Sequence, residues 1–441
     1  MKTRLTRREL LGAGALAWAG CRTGSGSSLP APRRRSPNER LNVACIGVGG
    51  RGAANVDAVA GENLVALCDC DDKRAAATYK KYPGVKKYRD FRRMFDEKEK
   101  EIDAVVVSTP DHTHFHPALR ALQAGKHLYC EKPLAHSVWE VRMLTELAGR
   151  KGVATQLGTQ HHAGENIRRI VELVRAGAIG EVREVYSWET GDRGMPEIPT
   201  EFPPVPEHLD WDLWLGPAAW RPYSPAYCPY NWRFWWDFGT GETGNMGCHI
   251  LDFPFWALDL RHPLRVEASG PPPHPQTSPK SMVVRLEFPA RGDRPPVKVR
   301  WSHEKEGPAA LKELGVPLGE TSYYKKPHTL LVGSKGMLLC AYEQHLLFPK
   351  ERFAGYEYPA PSIPRSPGFH KEWIDACKGG PPPSCSFDYS GPLTEAVLLG
   401  NAAYRLGEPI DWDAANLKAR GNPRAEEFLH PPFRKGWEVA L

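Results

Sequence analysis

The stretch LNVACIGVGGRGAAN, residues 41–55, decides the fold of the N-terminal half of this chain. It begins with an apolar run that predicts a buried strand, and its last residues can begin a helix. The three glycines of the G-x-G-x-x-G pattern between them are Gly47, Gly49 and Gly52. In such a loop the first glycine makes the turn, the second lets the backbone approach a pyrophosphate and the third allows close helix–strand packing. The helix N-terminus then faces the phosphates.

A second apolar run, NLVALCD at residues 63–69, ends in an acidic residue at the spacing that this loop requires. Asp69 follows the glycines by about 20 residues, where a carboxylate binds a ribose 2′-hydroxyl and repels a 2′-phosphate. This favours NAD as the cofactor, while the nearby Arg74 keeps NADP as the alternative. The cysteines and aspartates at residues 68–72 could also suggest a metal site, but the end of this strand explains them better.

Predicted strands and helices alternate along the next part of the chain. They are a helix at 91–98, a strand at 102–110, a helix at 116–125, a strand at 127–133, a helix at 138–152 and a strand at 153–160. Such repetition predicts a doubly wound parallel sheet, a Rossmann domain, over residues 41–160. Ligands bind such sheets beyond the carboxyl ends of the strands, where residues 108–110 (STP) and 131–133 (EKP) lie.

The lysine of the EKP motif, Lys132, is the candidate acid/base. A lysine directly after a parallel strand would lie beside the nicotinamide, Glu131 could hold its ammonium group, and Pro133 would fix the backbone direction. The alternative is a solvated ion pair in a turn. The expected cofactor contacts are Gly47, Gly49, Gly50, Arg51, Gly52, Asp69, Ser108, Thr109, Pro110, His114, Glu131, Lys132 and Gln160.

Three histidines alternate in the segment DHTHFHP, residues 111–117. Three ligands at alternate positions of a short turn do not reach a tetrahedral metal without strain, so we expect no metal here. We expect His114 to form a wall of the cofactor crevice instead.

Four segments resemble the glucose–fructose oxidoreductase/inositol dehydrogenase (Gfo/Idh/MocA) family. They are CIGVGGRG at 45–52, CD at 68–69, VVSTPDHTHFHPALRALQAGKHLYCEKPLA at 106–135 and GNMGCHILD at 244–252. The resemblance implies a Rossmann domain followed by an α/β domain with an open, mostly antiparallel sheet, through which we expect a homo-oligomer. It also implies oxidation of a secondary hydroxyl of a sugar or cyclitol. The lysine of EKP would then act with a later Asp-x-x-x-His pair.

The chain departs from this pattern in the segment GNMGCHILD. His249 stands at the histidine position, but Asn245 stands where the family has an aspartate. Residues four apart share a helix face, and asparagine can hydrogen-bond a substrate hydroxyl but cannot take a proton at pH 7. The expected catalytic set is therefore Lys132, His249 and Asn245, with the proton chemistry on Lys132 and His249. The alternative for His249 is a buried histidine that packs between domains.

The second domain, residues 161–441, contains a cluster of tryptophans. Six of them, Trp211, Trp214, Trp220, Trp232, Trp235 and Trp236, lie between residues 211 and 236. Flat aromatic faces suit the C–H faces of sugars, although tryptophan is also a common core residue. The expected substrate contacts are Trp232, Arg233, Trp235, Asp237 and His249.

The N-terminus indicates export. The pair Arg7-Arg8 and a short apolar run resemble a Tat signal over residues 1–21, followed by a disordered linker over 22–40. The segment WAGC allows either cleavage after Ala19 or lipidation of Cys21, so we expect a periplasmic protein with a possible lipid anchor. Residues 1–40 hold nine Lys or Arg and two Glu, and the excess of positive charge in this segment is larger than the whole chain's net charge of +6. No basic stripe remains for nucleic acid, which excludes that class.

Three functions agree with these features. The first is an enzyme with tightly held NAD that acts on a carbohydrate. Because no pool of free NAD exists outside the cytoplasm, either a second substrate would reoxidise the cofactor or the reaction would be a redox-neutral glycoside hydrolysis. The second is a non-catalytic sugar-binding protein on the same fold, which Asn245 favours. The third, a structural surface lipoprotein, would not need the glycine loop or Asp69.

Overall fold

The computed structural model describes residue 36 and residues 39–304, 307–315 and 323–440. The expected Tat signal, Cys21 and most of the expected linker lie outside the described residues. Among the residues that are described, no helix is both long enough and apolar enough to cross a membrane.

The first sheet has six parallel strands in the order β3-β2-β1-β4-β5-β6. The strands are β1 Asn42–Ile46, β2 Asn63–Cys68, β3 Lys86–Tyr88, β4 Ala104–Val107, β5 His127–Cys130 and β6 Thr155–Leu157. The helices between them are α1 Arg51–Val59, α2 Asp72–Lys81, α3 Phe91–Lys98, α4 Phe115–Gln123 and α5 Val138–Lys151. The central strands β4 and β5 are buried along their whole length, as strands covered on both faces must be. The predicted doubly wound sheet is confirmed.

The second sheet has nine strands within the described residues, in the order β13-β12-β11-β7-β10-β9-β8-β14-β15. They are β7 Val182–Thr190, β8 Arg265–Ser269, β9 Met282–Phe288, β10 Val297–Glu304, β11 Thr329–Gly333, β12 Gly336–Cys340, β13 His345–Phe348, β14 Ile410–Asp413 and β15 Lys418–Ala419. Only the pair β7 and β10 is parallel, so the prediction of an open, mostly antiparallel sheet is confirmed.

Eight further helices accompany this sheet in the described chain. They are α6 Glu165–Arg175, α7 Trp211–Leu215, α8 Gly241–Ile250, α9 Asp252–Leu258, α10 Ala310–Glu313, α11 Phe369–Cys377, α12 Phe387–Leu406 and α13 Glu426–Leu429. Helix α12 packs on both α5 and α8, and the buried Glu395 on α12 pairs with Arg142 on α5 at 2.7 Å. Helix α11 places Trp373 and Cys377 in the core of the first sheet. The C-terminal helices therefore fix α8 against the first domain, while the boundary between residues 160 and 161 stays a prediction.

Candidate functional site

A cavity of about 290 Å³ lies at the carboxyl ends of the parallel strands and reaches helix α8. It is lined by the expected residues Gly47, Gly49, Arg51, Asp69, Ser108, Thr109, Pro110, Glu131, Lys132, Gln160, Trp232, Arg233, Asn245 and His249. The structure thus brings the glycine loop, the STP and EKP motifs and the GNMGCHILD helix to one cavity. The glycine loop and the STP and EKP motifs follow β1, β4 and β5. They lie side by side because these three strands are neighbours in the sheet.

The glycine loop needs glycine for steric reasons. Gly47 has φ +76°, and a Cβ there would lie 2.7 Å from the backbone of Ser108. A Cβ on Gly52 would lie 1.8 Å from the carbonyl oxygen of Gly47. The loop therefore closes tightly between β1 and α1 and leaves the N-terminus of α1 free to face an anion, which is the fit that a dinucleotide pyrophosphate requires. Gly50 and Gly52 shape this loop without lining the cavity.

Asp69 lies directly after β2, in the cavity. Its Oδ2 accepts a hydrogen bond from the Val48 N–H at 2.9 Å, and its Oδ1 accepts one from the Asp71 N–H at 3.0 Å. Burial raises the pKa of the Asp69 carboxyl to about 6. The group is therefore mostly ionised at pH 7, with lone pairs left to accept hydrogen bonds from ribose hydroxyls. Arg74 lies against the glycine loop, 2.6 Å from where a Cβ of Gly50 would be.

Glu131 does not hold the Lys132 ammonium group, which corrects the expectation from sequence. Its Oε1 accepts hydrogen bonds from Asn55 Nδ2 at 3.0 Å, from Gln160 Nε2 at 2.9 Å and from the Tyr129 hydroxyl at 3.2 Å. Successive side chains of an extended segment point to opposite sides, so Glu131 turns into the first domain and Lys132 turns towards the second. Glu131 thereby ties β5 to α1 and to the segment after β6.

Lys132 is held by helix α8 of the second domain. Its Nζ donates to the backbone carbonyl of Asn245 at 2.7 Å and to the Asn245 Oδ1 at 2.9 Å. Burial lowers the pKa of the Lys132 ammonium group from its ordinary value. The Lys132 side chain consequently crosses the cleft between the domains with its nitrogen fixed at two points, and a lowered pKa brings proton exchange closer to neutral pH.

His249 lies one turn after Asn245 on α8 and also lines the cavity. Burial, followed by the nearby positive charge of Lys132, holds the pKa of the His249 imidazole well below its ordinary value. Its Nδ1 is buried and has no hydrogen-bond partner among the described residues. A buried nitrogen without a partner is costly unless a bound molecule supplies one, so this position fits a hydrogen-bonding ligand in the cavity.

The sequence reasoning missed Glu242, which lies one turn before Asn245 on α8. The carboxylate is buried, pairs with Arg193 and accepts a hydrogen bond from the Asn245 Nδ2 at 3.4 Å. An amide at position 245 can donate to Glu242 and accept from Lys132 at once, whereas a second carboxylate there would repel Glu242. The i,i+3 spacing in GETGN was the signal available in the sequence.

Besides Gly50 and Gly52, three expected contacts do not line the cavity. Trp235 is fully buried, donates through Nε1 to the Ala226 carbonyl at 3.2 Å and packs against Tyr227, so it belongs to the core. Asp237 pairs with Arg221 at 2.5 Å. His114 Nδ1 lies 2.8 Å from the Pro133 carbonyl oxygen, and His114 Nε2 lies 2.8 Å from the Thr109 carbonyl oxygen. His114 therefore connects the turns that follow β4 and β5 and does not line the cavity.

Trp232 and Arg233 remain in the cavity wall. The Arg233 guanidinium lies 4.3 Å from the centre of the Trp232 ring and 4.5 Å from that of Tyr230. Arg233 also donates to the Tyr230 carbonyl at 3.0 Å, and burial lowers its pKa. These contacts hold a cation and an aromatic face beside Lys132, where they could contact a polyhydroxylated ligand.

Two family models match this chain. One, described as an oxidoreductase family with an NAD-binding Rossmann fold (GFO_IDH_MocA), matches residues 41–159, and the other, the C-terminal alpha/beta domain of that oxidoreductase family, matches residues 165–289. Together they cover more than half of the chain. The first domain is accordingly an NAD-binding Rossmann domain.

Curated relatives match over part of their length. An inositol 2-dehydrogenase of Rubrobacter xylanophilus is 31% identical over 176 residues, which are 38% of this chain and 49% of that protein. A glycosyl hydrolase family 109 protein of Solibacter usitatus is 30% identical over 207 residues, which are 40% of this chain and 44% of that protein. The chain thus spans about half the length of these relatives.

Solved structures share the fold at low identity. The WlbA dehydrogenase from Bordetella pertussis, in complex with NADH and UDP-GlcNAcA, has a TM-score of 0.60 at 17% identity, with 85% of this chain and 99% of that chain covered. An NAD-binding protein from Listeria innocua has a TM-score of 0.59 at 17% identity, with 89% and 99% covered. These likenesses concern the fold of both domains.

Proposed function

This chain belongs to the Gfo/Idh/MocA oxidoreductase family, and from that membership we propose that it oxidises a secondary hydroxyl of a sugar, glycoside or cyclitol with a tightly held NAD. The observation that carries the proposal is the position of Lys132. Its Nζ lies in the same cavity as the glycine loop, Asp69 and His249, fixed by two oxygens of Asn245. An acid/base group beside a dinucleotide site is what hydroxyl oxidation needs.

The residues of the cavity fit NAD. The glycine loop and the N-terminus of α1 would hold the pyrophosphate, and Asp69 would accept from a ribose hydroxyl. The carboxylate of Asp69 disfavours a 2′-phosphate, while Arg74 beside the loop is the feature that favours NADP. When bound, the oxidised cofactor supplies the hydride acceptor.

Lys132 and His249 would have different roles at the substrate hydroxyl, proton acceptance for Lys132 and hydrogen bonding for His249. Oxidation at carbon requires the hydroxyl proton to leave, and Lys132 is the group that would accept it when neutral. The lowered pKa increases its neutral fraction, and Asn245 keeps Nζ in place. His249, uncharged because its pKa is depressed, would hydrogen-bond the same or a neighbouring hydroxyl. A positioned base contributes about 10²–10⁴-fold to rate.

Replacing Lys132 tests this proposal. We expect Lys132→Met to keep NAD bound, because the pyrophosphate and ribose are held elsewhere, and to lower turnover at least about a hundredfold. The measurement is product formation by mass spectrometry on a panel of sugars, cyclitols and glycosides, together with the NAD content of the purified protein. Lys126→Met, at another half-buried lysine whose pKa burial also lowers, is the matched control and should be fully active. Unchanged turnover of Lys132→Met would contradict the proposal, and loss of bound NAD would make Lys132 a cofactor contact instead.

A second candidate is redox-neutral glycoside hydrolysis, which the similarity to the Solibacter glycosyl hydrolase family 109 protein favours. Oxidation of a ring hydroxyl makes the neighbouring C–H acidic; loss of that proton expels the aglycone, water adds to the resulting double bond, and the hydride returns to the sugar. The net change is consumption of water. Incubation without added cofactor separates the two functions, because hydrolysis releases aglycone over many turnovers whereas net oxidation stops after one keto sugar per bound NAD.

A periplasmic location belongs to the same proposal. An exporter of folded proteins would deliver the enzyme with NAD already bound, and a cofactor that stays in the cavity would need no external pool. Cys21 would add a lipid anchor if the signal is processed at WAGC. A non-catalytic sugar-binding protein remains the competing function, and the presence of both Lys132 and His249 in the cavity speaks against it.

A further inference from the structure

The C-terminal tail after α13 runs back across the first domain. The ring of His430 stacks on Trp139 of α5, with centroids 4.0 Å apart. Phe433 then stacks on Phe115 of α4 at 5.7 Å. These contacts carry the tail across two helices of the Rossmann domain, away from the second sheet to which the preceding strands belong.

Trp437 lies further along this tail and is anchored from several sides. Its backbone carbonyl lies 2.8 Å from His116 Nε2, which donates to it. The Arg92 guanidinium lies 4.7 Å from the centre of its ring. Arg434, three residues earlier, donates to the Asp212 carboxylate at 2.6 Å and to the Gly216 carbonyl at 2.9 Å. Trp437 is thereby clamped between the first domain and the segment that contains α7.

Trp437 also lines the cavity that holds Lys132. Lys132 follows β5, whereas Asp69 follows β2 and Phe91 follows β3 at the edge of the sheet. Phe91 and Leu213 line the same cavity, and the centres of the Phe91 and Trp437 rings lie 6.2 Å apart, which places Trp437 near the β3 edge of the sheet. With the nicotinamide beside Lys132 and a ribose at Asp69, the part of a dinucleotide that reaches this end is the adenine.

We infer that Trp437 and the C-terminal tail form a wall of the adenine subsite and hold the base in the cavity. The inference rests on the proposed binding of NAD and adds to it the residue that retains the cofactor. A flat indole with the Phe91 ring beside it suits a nucleobase, and base–aromatic stacking changes affinity by roughly 5- to 150-fold per base. Release of the adenine end then requires the tail to move, together with its Arg434 and His116 anchors.

Fragments of the cofactor test this assignment. We expect Trp437→Ala to weaken binding of NAD and of ADP-ribose roughly 5- to 150-fold and to leave binding of nicotinamide mononucleotide unchanged. The measurement is isothermal titration calorimetry on the full chain after its bound NAD has been removed. Trp437→Leu keeps the bulk without the ring and should weaken the same two ligands, provided that its melting temperature matches the unmodified protein. Trp220→Ala removes an exposed indole that does not line the cavity, and this variant should bind all three ligands normally.

The outcomes separate this inference from the proposed function. If the unmodified protein binds NAD and both Trp437 variants bind ADP-ribose equally well, the adenine assignment is overturned while NAD binding stands. Weaker binding of nicotinamide mononucleotide by the same factor would also overturn it, because the effect would then be general. If the unmodified protein binds none of the three ligands, the proposed function fails and this inference fails with it.

Discussion

Changing Asn245 to aspartate restores the residue that the family pattern has. The structure predicts that the new carboxylate would be attracted by Lys132 and repelled by Glu242. The new carboxylate would lie 2.9 Å from Lys132 Nζ and 3.4 Å from Glu242 Oε2, the distances that the amide atoms now have. At an effective dielectric constant of about 20, the attraction and the repulsion are about 6 and about 5 kcal/mol. The two energies nearly cancel, so the net electrostatic stabilisation of the new carboxylate in the single variant is small.

Removing the repulsion should reveal the full effect on Lys132. An opposite charge in contact raises a lysine pKa by about 1–3 units. We therefore expect the Lys132 pKa to rise by that amount in the double variant Glu242→Gln/Asn245→Asp. In Asn245→Asp alone the rise should be less than about 1 unit, because repulsion by Glu242 keeps part of the new carboxyl group protonated. The melting temperature should be lower in the single variant than in the double one, because only the single variant places two carboxylates side by side.

Competitive acetylation measures this pKa without a known substrate. Short pulses of acetic anhydride at a series of pH values label neutral amines, and mass spectrometry quantifies the peptide that contains Lys132 against one that contains the exposed Lys73. A Lys132 pKa that is the same in the double variant and the unmodified protein would refute the argument that Asn245 contacts it. An equal rise in the single and double variants would refute the role of Glu242.

Three further predictions concern the cofactor and export. NAD affinity should fall as the pH drops through about 6, because the Asp69 pKa is raised to that value and the protonated acid loses the charge that strengthens its hydrogen bond with a ribose hydroxyl; titrations at pH 5, 6 and 7 would show this, and a flat profile would contradict it. Asp69→Ala should remove this dependence and relax discrimination against NADP, since a hydrogen bond to a charged group contributes about 1.5–3 kcal/mol; equal NAD and NADP affinities in the unmodified protein would contradict the assignment of the acid. Changing Arg7 and Arg8 to lysine should leave the protein in the cytoplasm, as judged by fractionation, and unchanged periplasmic delivery would reject the Tat signal.

The parts of the site that the sequence predicted are those set by local chain geometry. The glycine loop, Asp69 and the residues after β4 and β5 occupy positions that a parallel sheet dictates, so spacing alone located them. Alternation along an extended segment also sets the direction of Lys132 opposite to that of Glu131, so the ion pair predicted within the EKP motif does not form.

Other features depend on tertiary packing. Trp232 and Trp235 are three residues apart in one aromatic segment, yet one lines the cavity and the other is core. The strand β3 has two exposed lysines in three residues and no apolar run, so nothing in its composition predicted it. The segment HTLLVGSKGMLLC, residues 328–340, has the apolar run of a single strand, yet it forms a hairpin of β11 and β12 that turns at Ser334 and Lys335.

The two ends of the cavity together bear on how the cofactor would be reoxidised. At one end Lys132 joins β5 to α8 through the two oxygens of Asn245, and at the other the tail joins the first domain to the α7 segment through Trp437 and Arg434. A dinucleotide between these points could leave only if one set of contacts broke. With the tail over the adenine as inferred, exchange with free cofactor would require the tail to move, whereas entry of a second substrate beside Lys132 would not. A protein built in this way favours reactions in which the hydride returns within the same cavity, either to a second sugar or to the sugar that gave it.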